Sequence, residues 1–171
     1  NLRPSKMRDY AYIHKTEIGS EGENVSAIVR QICQDSDKKE HFLEWISSLT
    51  VPPISDIRFE ETRYDHVLAE IVEEEQLEKV ISVQSISDGT LRFMGLLAAL
   101  FTVPEGTIIL LEEIENGLHP TRIHLLMELL EQFAAERNLQ IIATTHSSQV
   151  LMGLSESALQ NAVLFARDEE H

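Results

Sequence analysis

Two adjacent glutamates, Glu112 and Glu113, follow the apolar run Ile108-Ile109-Leu110-Leu111, and His146 follows a second apolar run that ends at Thr144. A third segment, Ser87-Asp88-Gly89-Thr90, opens a long apolar stretch. Carboxylates can share a hydrated Mg²⁺ or serve as a base toward water. An imidazole can hydrogen-bond a phosphate oxygen and titrates near neutral pH. A hydroxyl residue and a glycine at a helix start offer backbone N–H groups and a helix dipole to an anion. Together these residue types are the parts of a site that handles phosphate.

The elements that must position them follow from periodicity. From residue 88 the chain alternates long helical patterns with short apolar runs, as in a parallel α/β layer. Leu91–Phe101 is apolar nearly all round and predicts a buried helix. Thr121–Glu136 is amphipathic, with Ile123, Leu126, Leu130 and Phe133 on one stripe, and Pro120 suits its first turn. Residues 108–111 and 140–144 predict two buried strands, and Ala162–Phe165 a further strand. Ligands of such sheets sit beyond the carboxyl ends of the strands, which is where Glu112, Glu113 and His146 fall. Adjacent residues on a strand point to opposite sides, so one acid is expected to face a metal's water shell and the other an attacking water.

The first half is less regular. Asp9–Ile13 predicts a short strand, and Asn24 a cap for a helix carrying Val25, Ile28, Val29 and Ile32. Lys38–Leu49 predicts a second helix, with Trp45 as packing. After Val51-Pro52-Pro53, the alternating runs Ile57–Glu60, Val67–Val72 and Val80–Val83 predict an antiparallel sheet with one wet face. Glu73-Glu74-Glu75 reads as a solvated turn.

Taken in order, Ser85-Ile86-Ser87-Asp88-Gly89-Thr90-Leu91-Arg92, Thr107–Pro120 and Ile141–Ser147 resemble the C-terminal half of an ABC/SMC-type ATPase. They are most similar to the branch of AAA-family ATPases related to RecF and the OLD-type ATPases. The resemblance is strongest over 81–152, weaker over 1–34 and thin over 35–80. It implies the C-terminal lobe of a P-loop NTPase head, an α/β fold of parallel strands with flanking helices plus a small antiparallel and helical subdomain. Residues 1–80 would form a partial lobe with that insertion, and 81–171 the ATPase core.

The resemblance also implies roles. Glu112 stands at the magnesium-associated position of a Walker B strand and Glu113 at the catalytic carboxylate that activates water. Ser87 and Gly89 stand in the signature loop that meets the γ-phosphate held by the opposite protomer. Asp88 and Thr90 replace the Gly and Gln of the transporter pattern; Asp88 is expected to cap the helix, and Arg92 to offset its charge or pin the loop. Asn116 lies in the interface segment Glu115–Pro120, with His119, and His146 matches the switch histidine. The cofactors implied are ATP and Mg²⁺. The implied partners are a second head, as a homodimer or a matching ATPase, a nuclease and, through the full assembly, DNA. Repair, recombination and phage defence are the processes implied.

Bulk properties bound these expectations. The 171 residues suffice for one real core, and no apolar run approaches the ~18 residues of a membrane span. A net charge of −15 argues against a broad nucleic-acid surface on this chain. The single Cys33 excludes an internal disulfide, reads as a packed thiol and fits a reducing cytoplasm. A metal nuclease built on Glu112, Glu113 and Glu115 lacks a second acidic motif at another strand end.

None of the seven glycines begins a G-x-x-x-x-G-K-[ST] loop, so the group that grips the β- and γ-phosphates is not in this sequence. Together with the start at Asn1 this suggests a chain cut from something longer, or completed by another polypeptide that carries the P-loop lobe. The alternative is a non-hydrolysing dimerisation or regulatory module derived from such an ATPase. Either way, the isolated chain is expected to show no ATP hydrolysis in a phosphate-release assay; turnover abolished by Glu113→Gln would contradict this.

Overall fold

The computed structural model describes residues 2–74 and 79–165; residues 1, 75–78 and 166–171 lie outside them, among them Glu75 of the run expected to form a solvated turn, while Glu73 of that run ends a strand. The helices are α1 (Pro4–Met7), α2 (Val25–Ile32), α3 (Ser36–Leu49), α4 (Asp88–Thr102), α5 (Ile123–Glu136), α6 (Ser148–Gly153) and α7 (Glu156–Leu159). The strands are β1 (Ala11–Tyr12), β2 (Ile54–Glu61), β3 (His66–Glu73), β4 (Lys79–Ser82), β5 (Ile108–Leu111) and β6 (Gln140–Ala143).

The first four strands form an antiparallel sheet in which β3 pairs with β2 on one side and with β1 and β4 on the other. Central placement buries both faces of β3: Val67, Ala69 and Ile71 on one and Leu68 and Val72 on the other are all at most 2% exposed. The wet face expected of the whole sheet is therefore kept mainly by β2, where Ser55, Arg58 and Glu60 are exposed. Ile54 and Ile57 are both buried despite odd spacing, because a bulge places Ser55 between the pairs Ile54↔Glu73 and Asp56↔Val72.

Helix α4 is the centre of the molecule. Leu91, Met94, Leu97, Ala98 and Leu100 are fully buried, and α1, α2 and α3 all pack on it. One apolar core runs from Met7 through α2–α5 to Val150, and β4 straddles the division expected at residue 80. Asp35 caps α3 by accepting the N–H groups of Asp37 and Lys38. Asn24 precedes α2 but its side chain does not cap it. Instead it accepts the Gly19 N–H and donates to the Glu17 carbonyl, tying down the Gly19–Gly22 loop. Cys33 is half-buried, and burial pushes its thiol up to about 11, which keeps it protonated and unreactive at neutral pH.

Strands β5 and β6 pair in parallel, with Ile108↔Gln140 through Leu111↔Ala143 in register. The expectation that both are buried is corrected: Ile109, Leu111 and Ile141 pack on the core, but Ile108, Leu110 and Ile142 are 57%, 73% and 59% exposed. Only one face of this layer is covered among the described residues. Ala162–Phe165 is not a strand either; Val163, Leu164 and Phe165 are exposed, and among the described residues no strand pairs with them.

This asymmetry predicts unequal costs. Leu97→Ala, in the closed core, should destabilise by about 2–5 kcal/mol. Leu110→Thr, on the open face, should cost less than about 1 kcal/mol. Urea unfolding followed by circular dichroism measures both.

Candidate functional site

The site assembles at the carboxyl ends of β5 and β6. Their ladder continues past the strands: the Thr144 N–H donates to the Leu111 carbonyl at 2.9 Å, and the Ile114 N–H to the Thr144 carbonyl at 3.2 Å. Between them the chain turns sharply. Glu113 has φ of 47°, in the left-handed region that non-glycine residues enter only at a cost of about 1–2 kcal/mol. Its N–H donates to the Thr144 hydroxyl at 3.1 Å, which holds the turn. The chain leaves extended geometry here, and Glu112 and Glu113 are both among the residues that line one cleft.

Three of the expected residues converge. The Asn116 side-chain amide donates to Glu113 Oε2, and His146 Nε2 lies 3.9 Å from Glu113 Oε1. The Glu113 carboxylate is half exposed and the His146 ring largely so. One carboxylate oxygen is thus held and the other lies near an imidazole.

Glu115, given no role in positioning the site by the sequence reading, keeps this arrangement in place. Its carboxylate accepts the Thr145 hydroxyl at 2.8 Å and the His146 N–H at 2.9 Å, so it locks the end of β6 to the end of β5. Partial burial pushes the Glu115 carboxyl up, but its own backbone N–H, that of His146 and the Thr145 hydroxyl outweigh burial and hold it below the ordinary glutamate value.

At the other side of the site, Ser87 is the N-cap of α4. Its hydroxyl accepts the Thr90 N–H at 3.1 Å and lies 2.9 Å from the Thr90 hydroxyl. Asp88 is therefore the first helical residue, not the cap. Its charge is met by Arg8, at 2.7 Å, rather than by Arg92 as expected. Arg92 instead lines the cleft, with its Nε buried and unpaired among the described residues. Nothing in the spacing of the sequence pairs residue 8 with residue 88.

Gly89 is buried against Gly117, whose φ is 85°. A Cβ on Gly89 would overlap the Gly117 carbonyl, and one on Gly117 would come within 2.6 Å of the Gly89 Cα. The missing side chain at Gly89 is thus used first for close approach to the segment Glu115–Pro120 of its own chain. His119 accepts the Thr121 N–H and caps the 3₁₀ turn Pro120–Arg122 that leads into α5, and His124 is exposed on α5.

A cleft of about 280 Å³ opens between β5, α4 and the N-terminal loop. Glu112, Glu113, Asn116, Gly89 and Arg92 line it, whereas Ser87, Asp88 and His146 do not. Among the described residues, no group of three or more His, Cys, Asp or Glu side chains is placed to hold a metal. The oxygen donors at the end of β5 are instead a small set, the adjacent carboxylates of Glu112 and Glu113. This set fits magnesium, which keeps its waters and takes one or two carboxylates together with phosphate oxygens; Glu112 would be the carboxylate.

A family model described as "AAA domain, putative AbiEii toxin, Type IV TA system" matches residues 35–152. It includes the stretch 35–80, where the motif resemblance was thinnest, and leaves out 1–34. Among solved structures, the chain is similar to one described as "Crystal structure of the SmcHead bound to the C-winged helix domain of ScpA", with a TM-score of 0.54 and 14% identity. The superposition covers 82% of this chain and 45% of that one, so the chain spans under half the length of the solved head. At that identity the likeness speaks to fold alone, and the fold is that of an SMC-head-like α/β P-loop NTPase. No curated protein matches the chain.

The Glu115 clamp has a pH signature. A carboxyl held below its ordinary value of 4.5 contributes stability that is present at neutral pH and is lost as pH falls through its folded-state value. Thermal unfolding midpoints of the parent should therefore decline below about pH 4.5, and Glu115→Gln should have a lower midpoint at pH 7 and a flatter decline. Equal slopes in parent and variant would show that Glu115 carries no such linkage.

Proposed function

Because the chain belongs to the AAA-domain family matched over residues 35–152, we propose that it forms the hydrolytic part of an ATP-driven head. It is an AAA-family ATPase domain with an SMC-head-like fold. The proposal assigns Glu113 as the base toward water, Glu112 as the carboxylate beside Mg²⁺, His146 as the residue that meets the γ-phosphate, and Ser87 with Gly89 as the loop offered to a second head's nucleotide.

The observation that carries this reading is the Glu113 carboxylate at the end of a parallel strand pair, with Asn116 on one oxygen and His146 near the other. Asn116 fixes the carboxylate without neutralising it. The free oxygen can then accept a proton from a water, and His146 can stabilise charge that develops opposite. Magnesium, when bound, would neutralise phosphate charge. Glu115 keeps Glu113 and His146 at a fixed separation by holding the two strand ends together.

Two further features support the wider assembly. The uncovered apolar side chains Ile108, Leu110 and Ile142 suit a layer completed by more protein, as parallel strands are covered on both faces. A lobe carrying the phosphate-gripping loop would supply what the sequence lacks. Two such heads would enclose ATP between them and separate on hydrolysis. A nuclease partner, and DNA reached through the full assembly rather than through this acidic chain, complete the proposal. Among repair, recombination and phage defence, the toxin–antitoxin wording of the family description favours defence.

In a complete head, Glu113→Gln should lower ATP turnover by about 10²–10⁴-fold while leaving ATP binding intact and prolonging head pairing. Steady-state phosphate release and equilibrium ATP binding separate the two effects. Turnover near the parental rate would remove Glu113 as the base and favour the non-hydrolysing, regulatory alternative or a role for Glu112.

A further inference from the structure

We propose that Arg8 is a positioning residue for the Ser87–Thr90 turn, cancelling the charge of Asp88 and fixing the turn to α1 so that it can face an anion. This rests on the reading of that turn as phosphate-facing.

The Arg8 guanidinium makes three contacts with one short stretch. Nε donates to the Gln84 carbonyl at 3.2 Å, and Nη2 donates to the Ile86 carbonyl at 2.8 Å and to Asp88 Oδ1 at 2.7 Å. Gln84 returns a bond from its side-chain amide to the Arg8 carbonyl at 3.3 Å. The arginine is itself anchored, because its neighbour Met7 is fully buried and lies against Gly95 of α4. Residues 84–88 are thereby held from outside by a side chain that belongs to neither the turn nor the helix.

Electrostatics explains why such a brace is placed here. Asp88 suits the helix dipole, but it sets a negative charge beside the N-terminus that would meet phosphate. At about 6 Å and an effective dielectric of about 40, one uncompensated charge weakens approach of another by about tenfold. The pair is 26% exposed at Arg8 and 67% at Asp88, and ion pairs so open to solvent add little stability. Its effect therefore falls on charge and geometry at the turn. Lysine could cancel the charge but could not reach two carbonyls and a carboxylate as the planar fork does.

The test uses complete heads carrying Glu113→Gln, with Mg·ATP-driven pairing followed by light scattering. Arg8→Ala should raise the Mg·ATP concentration for half-maximal pairing by about tenfold. Adding Asp88→Asn to Arg8→Ala should restore it to within about twofold, and Arg8→Lys should fall between parent and Arg8→Ala. Arg8→Gln, which keeps a donor for the carbonyls, serves as a second variant with the same expected rescue. Parental pairing by Arg8→Ala, no rescue by Asp88→Asn, or loss of the fold in both Arg8 variants would overturn the proposal. A parallel Ser87→Arg head separates the two levels. If Ser87→Arg blocks pairing while Arg8→Ala does not, only the role of Arg8 falls. If Ser87→Arg pairs normally, the turn does not face a nucleotide and both readings fall.

Discussion

Helix α4 is apolar on nearly every side, and satisfying it organises the chain around it. An amphipathic helix needs one covering layer, whereas α4 needs a sleeve. That sleeve is built from α1, α2 and α3, with the site cleft opening between α4 and β5. Met7 reaches Gly95 from α1, while Phe42 and Ile46 of α3 enter the same core. Because the helix cannot shift without uncovering large side chains, its N-terminus is a fixed point. The polar residues there, from Ser87 to Arg92, inherit their positions from apolar packing one turn deeper. The chemistry at the tip is held by contacts that have no chemistry of their own.

The second fixed point is the join between β5 and β6. Four parallel pairs are a short ladder, and short ladders are weak in isolation. The chain lengthens this one with polar groups: the Thr144 backbone and hydroxyl, then the Glu115 carboxylate. A carboxylate with three donors nearby stays ionised and acts as a staple between strand ends. The unfavourable backbone angle at Glu113 persists because these bonds over-determine it.

Much of this was legible in the sequence, and the reasons it was or was not are physical. Periodicity found α3, α4, α5 and the antiparallel strands β2, β3 and β4, since burial patterns repeat along a chain. Strand ends placed Glu112, Glu113 and His146, whereas Asn116 entered only through the family resemblance, and its bond to Glu113 depends on the turn at Glu113. What escaped depended on distance or on absent neighbours. Arg8 meets Asp88 across 80 positions, and no local pattern encodes that. An apolar run such as 108–111 reads as buried whether its cover lies in the same chain or elsewhere, so the open side of β5 could not be foreseen. The same ambiguity turned Ala162–Phe165 into an expected strand. Asn24 and Asp88 show that a good capping residue can be put to other work when a loop or an arginine competes for it.

The contact between Gly89 and Gly117 has a consequence for how the two halves of the site can move. With no side chain at either position, backbone meets backbone, and no rotamer stands between them to absorb a displacement. A nudge of a few tenths of an ångström in the loop after β5 must be passed on to the first turn of α4, or the contact must open. The pair behaves like meshed gear teeth rather than like a cushioned joint. A side chain at either tooth would force the backbones apart, so the two positions share one steric constraint although 27 residues separate them in the chain.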